Sequence, residues 1–565
     1  MFSGSKQNLH LKFCSLLVFA TVAAYWPIVL INEPLWDDWV LRAYSDAGTL
    51  WELYRQVGAR ELFWLVKPFA STAPSACVAT ELLLYALLGP LIYTIVRKTT
   101  LWSPSDAFWA ALLTVLVPLN QARFVLSTLP YAFSSFFFAL SIVLLLRDLE
   151  KPSIIGRLSI AICLLVAFTT NSFLVLAWLM PLVVAIDAWR SEASPTSSDK
   201  AGEALRAISR RGELLLLPAV YWLAKKVCEP TYGLYADYNK FQMGLASALK
   251  QTVVVLVSQI KEATTLLPSS SDVPELSVAA AIVIVIFLFA ALRWKLPLGT
   301  SDEPARGTAR TPDALAMAIG LALAVCSLLP YILVGKPPRF HGLWETRHQT
   351  TLMLVSGFLI YSALRLSVPR RVLPAASAAL AAFFLILNIS VTHRLVLDVL
   401  ETREISRLLK AQPPTAGTMM LVMEEDRNYR ALGRFFAFYE LSYVLNPDDR
   451  EDRVLAVSNR EILDPSTGTY VTGKIPAAES TLIQYCEKFR SAPQYGFGGF
   501  VSNGNIETLR LLSNREPPRL FEAIGEGIRS ALGAGPASTS SPMVRVERTT
   551  SAMEGACRSP CCAGD

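Results

Sequence analysis

Phe13-Cys14-Ser15-Leu16-Leu17-Val18-Phe19-Ala20-Thr21-Val22-Ala23-Ala24-Tyr25-Trp26-Pro27-Ile28-Val29-Leu30-Ile31 runs directly into Asn32-Glu33-Pro34-Leu35-Trp36-Asp37-Asp38-Trp39. The first part is an uncharged apolar run, long enough to cross the hydrocarbon core of a bilayer as a helix of about 20 residues. The second part sets two adjacent carboxylates, Asp37 and Asp38, between tryptophans Trp36 and Trp39. Tryptophan favours the membrane interface, so the acidic pair is expected at the mouth of the bilayer and not in bulk water. A carboxylate held there is a base within reach of a lipid-borne polar group. Neutralising both aspartates should leave a solvated loop folded.

Composition agrees with a membrane protein. Hydrophobic residues make up 53% and charged residues 17% of the 565-residue chain, with a mean hydropathy of +0.40, well outside soluble usage. The net charge of +6 is spread over many loops and gives no case for nucleic-acid binding. Among the nine cysteines, Cys14, Cys77, Cys163, Cys228 and Cys326 lie in or beside apolar runs, where a free thiol behaves as a small hydrophobe. Cys557, Cys561 and Cys562 crowd a polar tail, where a zinc site would need a fourth ligand and a fold to hold it.

Apolar runs predict about eleven transmembrane helices. They fall at 13–31, 76–96, 107–119, 124–146, two within 154–189 broken at Thr169-Thr170-Asn171, 214–224, 275–292, 314–335, 351–365 and 372–391. With that number, the basic residues Arg97, Lys98, Arg147, Lys151, Arg206, Arg210, Arg211, Arg293, Lys295, Arg365, Arg370 and Arg371 share one side, which the positive-inside rule makes the cytoplasm. The N-terminus is then cytoplasmic, and the first run, lacking a small-residue cleavage site, reads as an uncleaved anchor. The loops 32–75, 120–130, 226–274 and 336–350, and everything after about 392, fall on the other face.

Beyond His393 the chain turns soluble in character. Helical spacing over 396–411, a break at Pro413, Pro414 and Gly417, a short apolar run from Met419 to Met423 and an amphipathic stretch over 427–445 predict a small α/β or α+β domain. The chain divides into a polytopic membrane domain, 1–395, a C-terminal domain outside the cytoplasm, 396–533, and a tail, 534–565, of disordered composition. Gly496, Gly498 and Gly499 stand among Tyr495, Phe497 and Phe500 and read as a turn.

The loop after the ninth expected crossing is rich in phosphate-binding chemistry: Lys336, Arg339, His341, Arg347 and His348 lie within thirteen residues, with two of the chain's four histidines. Arginine offers a planar two-pronged donor, lysine a point charge and histidine a further donor. In the loop after 224, Tyr232, Tyr235, Asp237, Tyr238 and Asn239 interleave aromatic faces with hydrogen-bonding groups, a combination suited to a sugar. Asn120, Gln121 and Arg123 occupy a short loop on the same expected face.

An acidic pair after the first crossing, about eleven crossings, basic late loops and a C-terminal domain on the same face resemble the GT-C superfamily of polyprenyl-phosphate-sugar-dependent glycosyltransferases, and within it bacterial O-antigen glucosyltransferases. The resemblance is architectural over about 10–395, with its residue content confined to Asp37 and Asp38 and, more loosely, Arg339, Arg347 and His348. It implies an enzyme of the bacterial inner membrane, with its C-terminal domain in the periplasm, that moves a sugar from a polyprenyl-phosphate donor to an envelope glycan or lipid-linked acceptor. Asp37 or Asp38 would be the base, with the basic loop on the donor phosphate. A carboxylate pair beside a phosphate is also a hard-oxygen site of the kind magnesium or manganese accepts. An O-antigen polymerase or ligase would depend on the arginines alone, and a flippase would show repeated halves, which this sequence lacks.

Overall fold

The computed structural model describes residues 3–30, 33–70, 74–100, 102–190, 197–232, 240–263, 311–338, 344–424, 436, 438–445, 454–458, 505–513, 520–531 and 544–552. Helix α1 (Ser3–Tyr25) tightens into a 3-10 turn over Trp26–Leu30, where Pro27 ends regular pairing. Three short helices follow, α2 (Asp38–Asp46), α3 (Leu50–Val57) and α4 (Glu61–Ala70). The bundle continues with α5 (Pro74–Thr99), α6 (Pro104–Leu116), α7 (Leu129–Glu150), α8 (Ile154–Phe168), α9 (Ser172–Leu176), α10 (Leu179–Arg190), α11 (Ser197–Ser209), α12 (Gly212–Cys228) and α13 (Leu245–Ala263). It closes with α14 (Thr311–Leu333), α15 (Thr350–Ser367) and α16 (Leu373–Ala411).

Seven stretches among the described residues are helical, long and apolar enough to cross a membrane: Asn8–Val29, Pro74–Thr99, Leu126–Glu150, Ser172–Trp189, Asp313–Leu333, Thr346–Ser367 and Leu373–Ala411. The chain is a polytopic helical membrane protein. The expected crossing 107–119 corresponds to the 13-residue α6, the first half of 154–189 to the 15-residue α8, and 214–224 to the 17-residue α12. The crossing expected at 275–292 lies outside the described residues. The break expected at 169–171 is present: α8 stops at Phe168 and α9 starts at Ser172.

Ion pairs mark one end of the bundle. Ser103 and Asp106 form a capping box at the start of α6, which satisfies backbone donors the first turn cannot pair internally. Asp106 also receives Arg365 Nη1 (2.9 Å), and Arg365 Nε reaches Asp313 Oδ1 (2.7 Å). Asp148, near the end of α7, pairs with Arg211 before α12. At the other end of α12, Lys225 pairs with Glu61 of α4 (2.8 Å). Helix α12 thus runs from the Asp148 end to the end that carries α2–α4.

Helices approach closely where a side chain is missing. A Cβ on Gly357 of α15 would lie 2.1 Å from Thr114 N of α6, and one on Gly89 of α5 would lie 3.2 Å from Leu17 Cβ of α1.

Three segments are built differently from what their composition suggests. The division expected near 395 falls inside a helix: α16 continues unbroken for 39 residues, about 58 Å at 1.5 Å per residue. The loop 226–274 contains α13, whose Ala248, Thr252, Val255 and Gln259 are buried, a helical stripe packed on α14. The tail expected to be disordered contains a strand, Val544–Ala552.

That strand, β4, completes a sheet of order β2-β1-β3-β4, with β1 (Met419–Glu424), β2 (Leu455–Ser458) and β3 (Asn505–Ser513). β1 pairs parallel with β2 and β3, and β3 antiparallel with β4. Met419, Met420, Leu421 and Val422 are all buried, as the continuous apolar run of a central parallel strand requires. Helix α17 (Phe438–Leu445) packs on β2 and on α16, and α18 (Leu520–Ala531) packs on α16 and on the turn Trp26–Leu30.

Candidate functional site

Asp38 opens α2 with its side chain turned into the protein. Its Oδ2 accepts from Leu126 N (2.8 Å), and its Oδ1 accepts from Ser127 N (2.8 Å) and Ser127 Oγ (2.8 Å). Leu126 and Ser127 form the helical turn that leads into α7. Backbone N–H groups at a helix start have no internal partner and carry partial positive charge, so the carboxylate caps a helix 88 residues away. Burial nonetheless lifts its pKa to about 7, against the lowering pull of its donors.

Inside this cap lies a second carboxylate. Glu81 of α5 is fully buried; Thr128 Oγ1 donates to its Oε1 (3.4 Å), while Oε2 has no hydrogen-bond partner among the described residues. Asp38 and Arg123 both act electrostatically on it. Arg123 is 3% exposed and donates to the carbonyls of Asn120 (2.8 Å), Leu119 and Val117 (3.4 Å). Its guanidinium lies 4.7 Å from the Tyr25 ring centroid and 5.5 Å from that of Tyr85, a cation–π seat.

Arg123 therefore staples the 117–128 loop into a buried hub. The loop binds the acidic motif on one side. On another, Asn120 N donates to Gln349 Oε1 (3.3 Å) and Ala122 N to Thr346 Oγ1 (2.8 Å). Gln349 Nε2 in turn donates to Gln259 Oε1 (2.6 Å). The described residues hold three non-glycine residues with positive φ, Trp36 (49°), Asn120 (50°) and Phe124 (73°), and all three lie in the acidic segment or in this loop. Such backbones cost of order 1–3 kcal/mol each and collect at functional sites.

The expected site residues divide as follows. Asp37, the N-cap residue of α2, is half-buried and makes no capping bond, whereas Asp38 is 4% exposed. Trp36 is 4% exposed and belongs to the core, so its ring is covered by protein. Trp39 is half-buried and lies parallel to Tyr443 of α17 (centroids 6.4 Å, planes 7°). Lys336 and Arg347 are half-buried, and both charges act on His348. His348 is 3% exposed with its ring 5.0 Å from Tyr331. Tyr232 OH donates to Glu52 Oε1 (2.6 Å) and accepts from Arg55 Nε (2.7 Å); it fastens α3 to the chain after α12. Arg339, His341, Tyr235, Asp237, Tyr238 and Asn239 lie outside the described residues, as do the Gly496 loop and Cys557, Cys561 and Cys562.

Asp38 does not offer a divalent cation an unengaged oxygen. Both Asp38 oxygens are already engaged by donors, and no group of three or more His, Cys, Asp or Glu gathers among the described residues.

Glu81 is absent from the sequence-based set, although an ionisable residue inside an apolar crossing is by default a functional candidate. Arg123 was visible only as one polar residue of a short loop. Beside the acidic segment, a cavity of about 460 Å³ opens between α2, the far half of α16 and α17.

A scan against protein-family models, a search of curated proteins and a search of solved structures each found no match.

Proposed function

We propose that the chain is a membrane glycosyltransferase of the GT-C type, with about eleven crossings, in a bacterial inner membrane. It takes a sugar from a polyprenyl-phosphate donor and passes it to a glycan or lipid-linked acceptor on the periplasmic face, where the C-terminal sheet also lies. The observation that carries this reading is the seating of the acidic segment and of the 344–349 segment on a single buried hub, the 117–128 loop.

In this mechanism Asp37 is the base and Asp38 a positioning residue. Asp37 is the carboxylate an acceptor hydroxyl can approach; Asp38, clamped on Leu126 and Ser127, fixes where α2 starts and so where Asp37 stands. The acceptor oxygen attacks the anomeric carbon, its proton passes to Asp37, and the bond from the sugar to phosphate breaks with its electron pair on the leaving polyprenyl phosphate. Lys336 and Arg347 offset that negative charge.

The test is release of polyprenyl phosphate from a panel of polyprenyl-phosphate hexoses and pentoses, incubated with the purified protein and envelope glycans. Asp37→Asn is expected to lower transfer at least about a hundredfold while the protein remains folded. Arg347→Lys should be nearly as damaging as Arg347→Ala and raise KM for the donor, because a point charge cannot supply two-pronged binding. Wild-type rates in Asp37→Asn would overturn the mechanism.

A further inference from the structure

The cavity beside the acidic segment has a distinct chemistry. Four cations line it, Arg42 of α2 and Arg403, Arg407 and Lys410 of α16, against two carboxylates, Glu33 and Asp46. Arg403 is held by Glu33 (2.9 Å), Arg42 by Asp46 (3.8 Å) and Arg407 by Glu404 (2.7 Å). Lys410 makes no ion pair among the described residues, and the lining carries an excess of positive charge. Trp39 and Tyr443 form an aromatic wall with nearly parallel rings. At about 460 Å³ the cavity is of the size that holds a small organic ligand.

Its height bears on the source of the negative charge. Thr402, the first α16 residue in the lining, lies about 43 Å along the helix from Leu373 at 1.5 Å per residue, against roughly 40–45 Å for a bilayer with its headgroups. A soluble saccharide can reach a cavity at that level, and a lipid headgroup is the competing occupant. Aromatic rings take the C–H face of a sugar, and arginine and lysine take a carboxylate or phosphate on it.

We infer that this cavity binds an acidic saccharide bearing a carboxylate or phosphate. Its role as the acceptor site rests on the transferase reading above: Trp39 is one residue from Asp38, and Thr346 and Gln349, which flank Arg347, bind the shared loop from another side.

Binding is measurable without turnover, by titrating full-length protein in nanodiscs of neutral lipid with trigalacturonate, maltotriose or inorganic phosphate. Trigalacturonate is expected to bind at least about tenfold more tightly than maltotriose or phosphate, a gap of about 1.4 kcal/mol. The double variant Arg407→Gln/Lys410→Gln should lose that preference, and Arg42→Gln should reduce it; the Arg407 and Arg42 side chains are 56% and 51% exposed, so neither change disturbs the core. Equal affinity for maltotriose, equal affinity for phosphate, or unchanged trigalacturonate binding in both variants would overturn the inference. So would loss of trigalacturonate binding when phosphatidylglycerol is added to the disc, which would make a lipid headgroup the occupant. Intact acidic-sugar binding with no transfer from any donor would remove the transferase reading and leave the cavity's ligand class standing.

Discussion

Asp37 and Asp38 share one chemistry and differ in everything around it. For Asp38 the folded pKa is about 7, against an unfolded value of about 3.9. The charged form is therefore disfavoured in the fold: the contribution to stability is full below about pH 4 and is lost as pH rises through about 7. Thermal melts from about pH 5 to about pH 8 should show wild type losing stability relative to Asp38→Asn; a constant gap over that range would mean Asp38 does not titrate there. Arg123 gives a second test. Its fork serves three carbonyls at once, so Arg123→Lys is expected to cost about 2 kcal/mol, and Arg123→Ala, which leaves Glu81 without a nearby cation, about 4. Melting curves that overlay wild type would show that the hub is held by something else. The motif Trp36-Asp37-Asp38-Trp39 was legible in the sequence, but the inward turn of Asp38 was not. Its partners are backbone N–H groups 88 and 89 residues away, and no side-chain pattern announces such donors. The same cause hid the role of Arg123, whose acceptors are its own loop's carbonyls.

Among the elements, α6 and α15 meet through an absent side chain. Gly357→Ala would force a methyl group into Thr114 of α6 and is expected to destabilise the protein by about 2 kcal/mol, the overpacking penalty of a closed interface. Gly202, on exposed α11, has nothing within 4 Å of its would-be Cβ, so Gly202→Ala should raise stability by about 0.5–1 kcal/mol through helix propensity. Equal effects of the two changes in denaturation would contradict this packing. Apolar length made the seven long crossings and the break at 169–171 readable. The change of composition near His393 suggested a boundary, because composition does not report whether backbone pairing continues; α16 runs through it without a break. β4 was missed because Val544–Ala552 holds few apolar residues, Val544, Val546 and Ala552, and its pairing with β3 decides its state.

At the scale of the whole molecule, transfer from a polyprenyl-phosphate donor needs the acidic and basic loops to form one site on the face away from the cytoplasm. The convergence of loops 32–75, 120–130 and 336–350 could be read from the order of crossings and the basic residues between them; the cationic cavity could not, because Arg42, Arg403 and Tyr443 are far apart in sequence and meet only through the fold. Orientation is the property on which the whole mechanism stands, and single cysteines in a cysteine-free, active protein measure it. Ala47 and Phe241 are exposed near the acidic segment and beside Gln242, whose N–H binds Leu333 O at the end of α14; Lys151 is exposed at the opposite end, after α7. In intact spheroplasts, a membrane-impermeant thiol reagent is expected to label Ala47→Cys and Phe241→Cys and to reach Lys151→Cys only once the membrane is opened. Labelling of Lys151→Cys in intact spheroplasts, or of only one of Ala47→Cys and Phe241→Cys, would contradict a single site on the outer face.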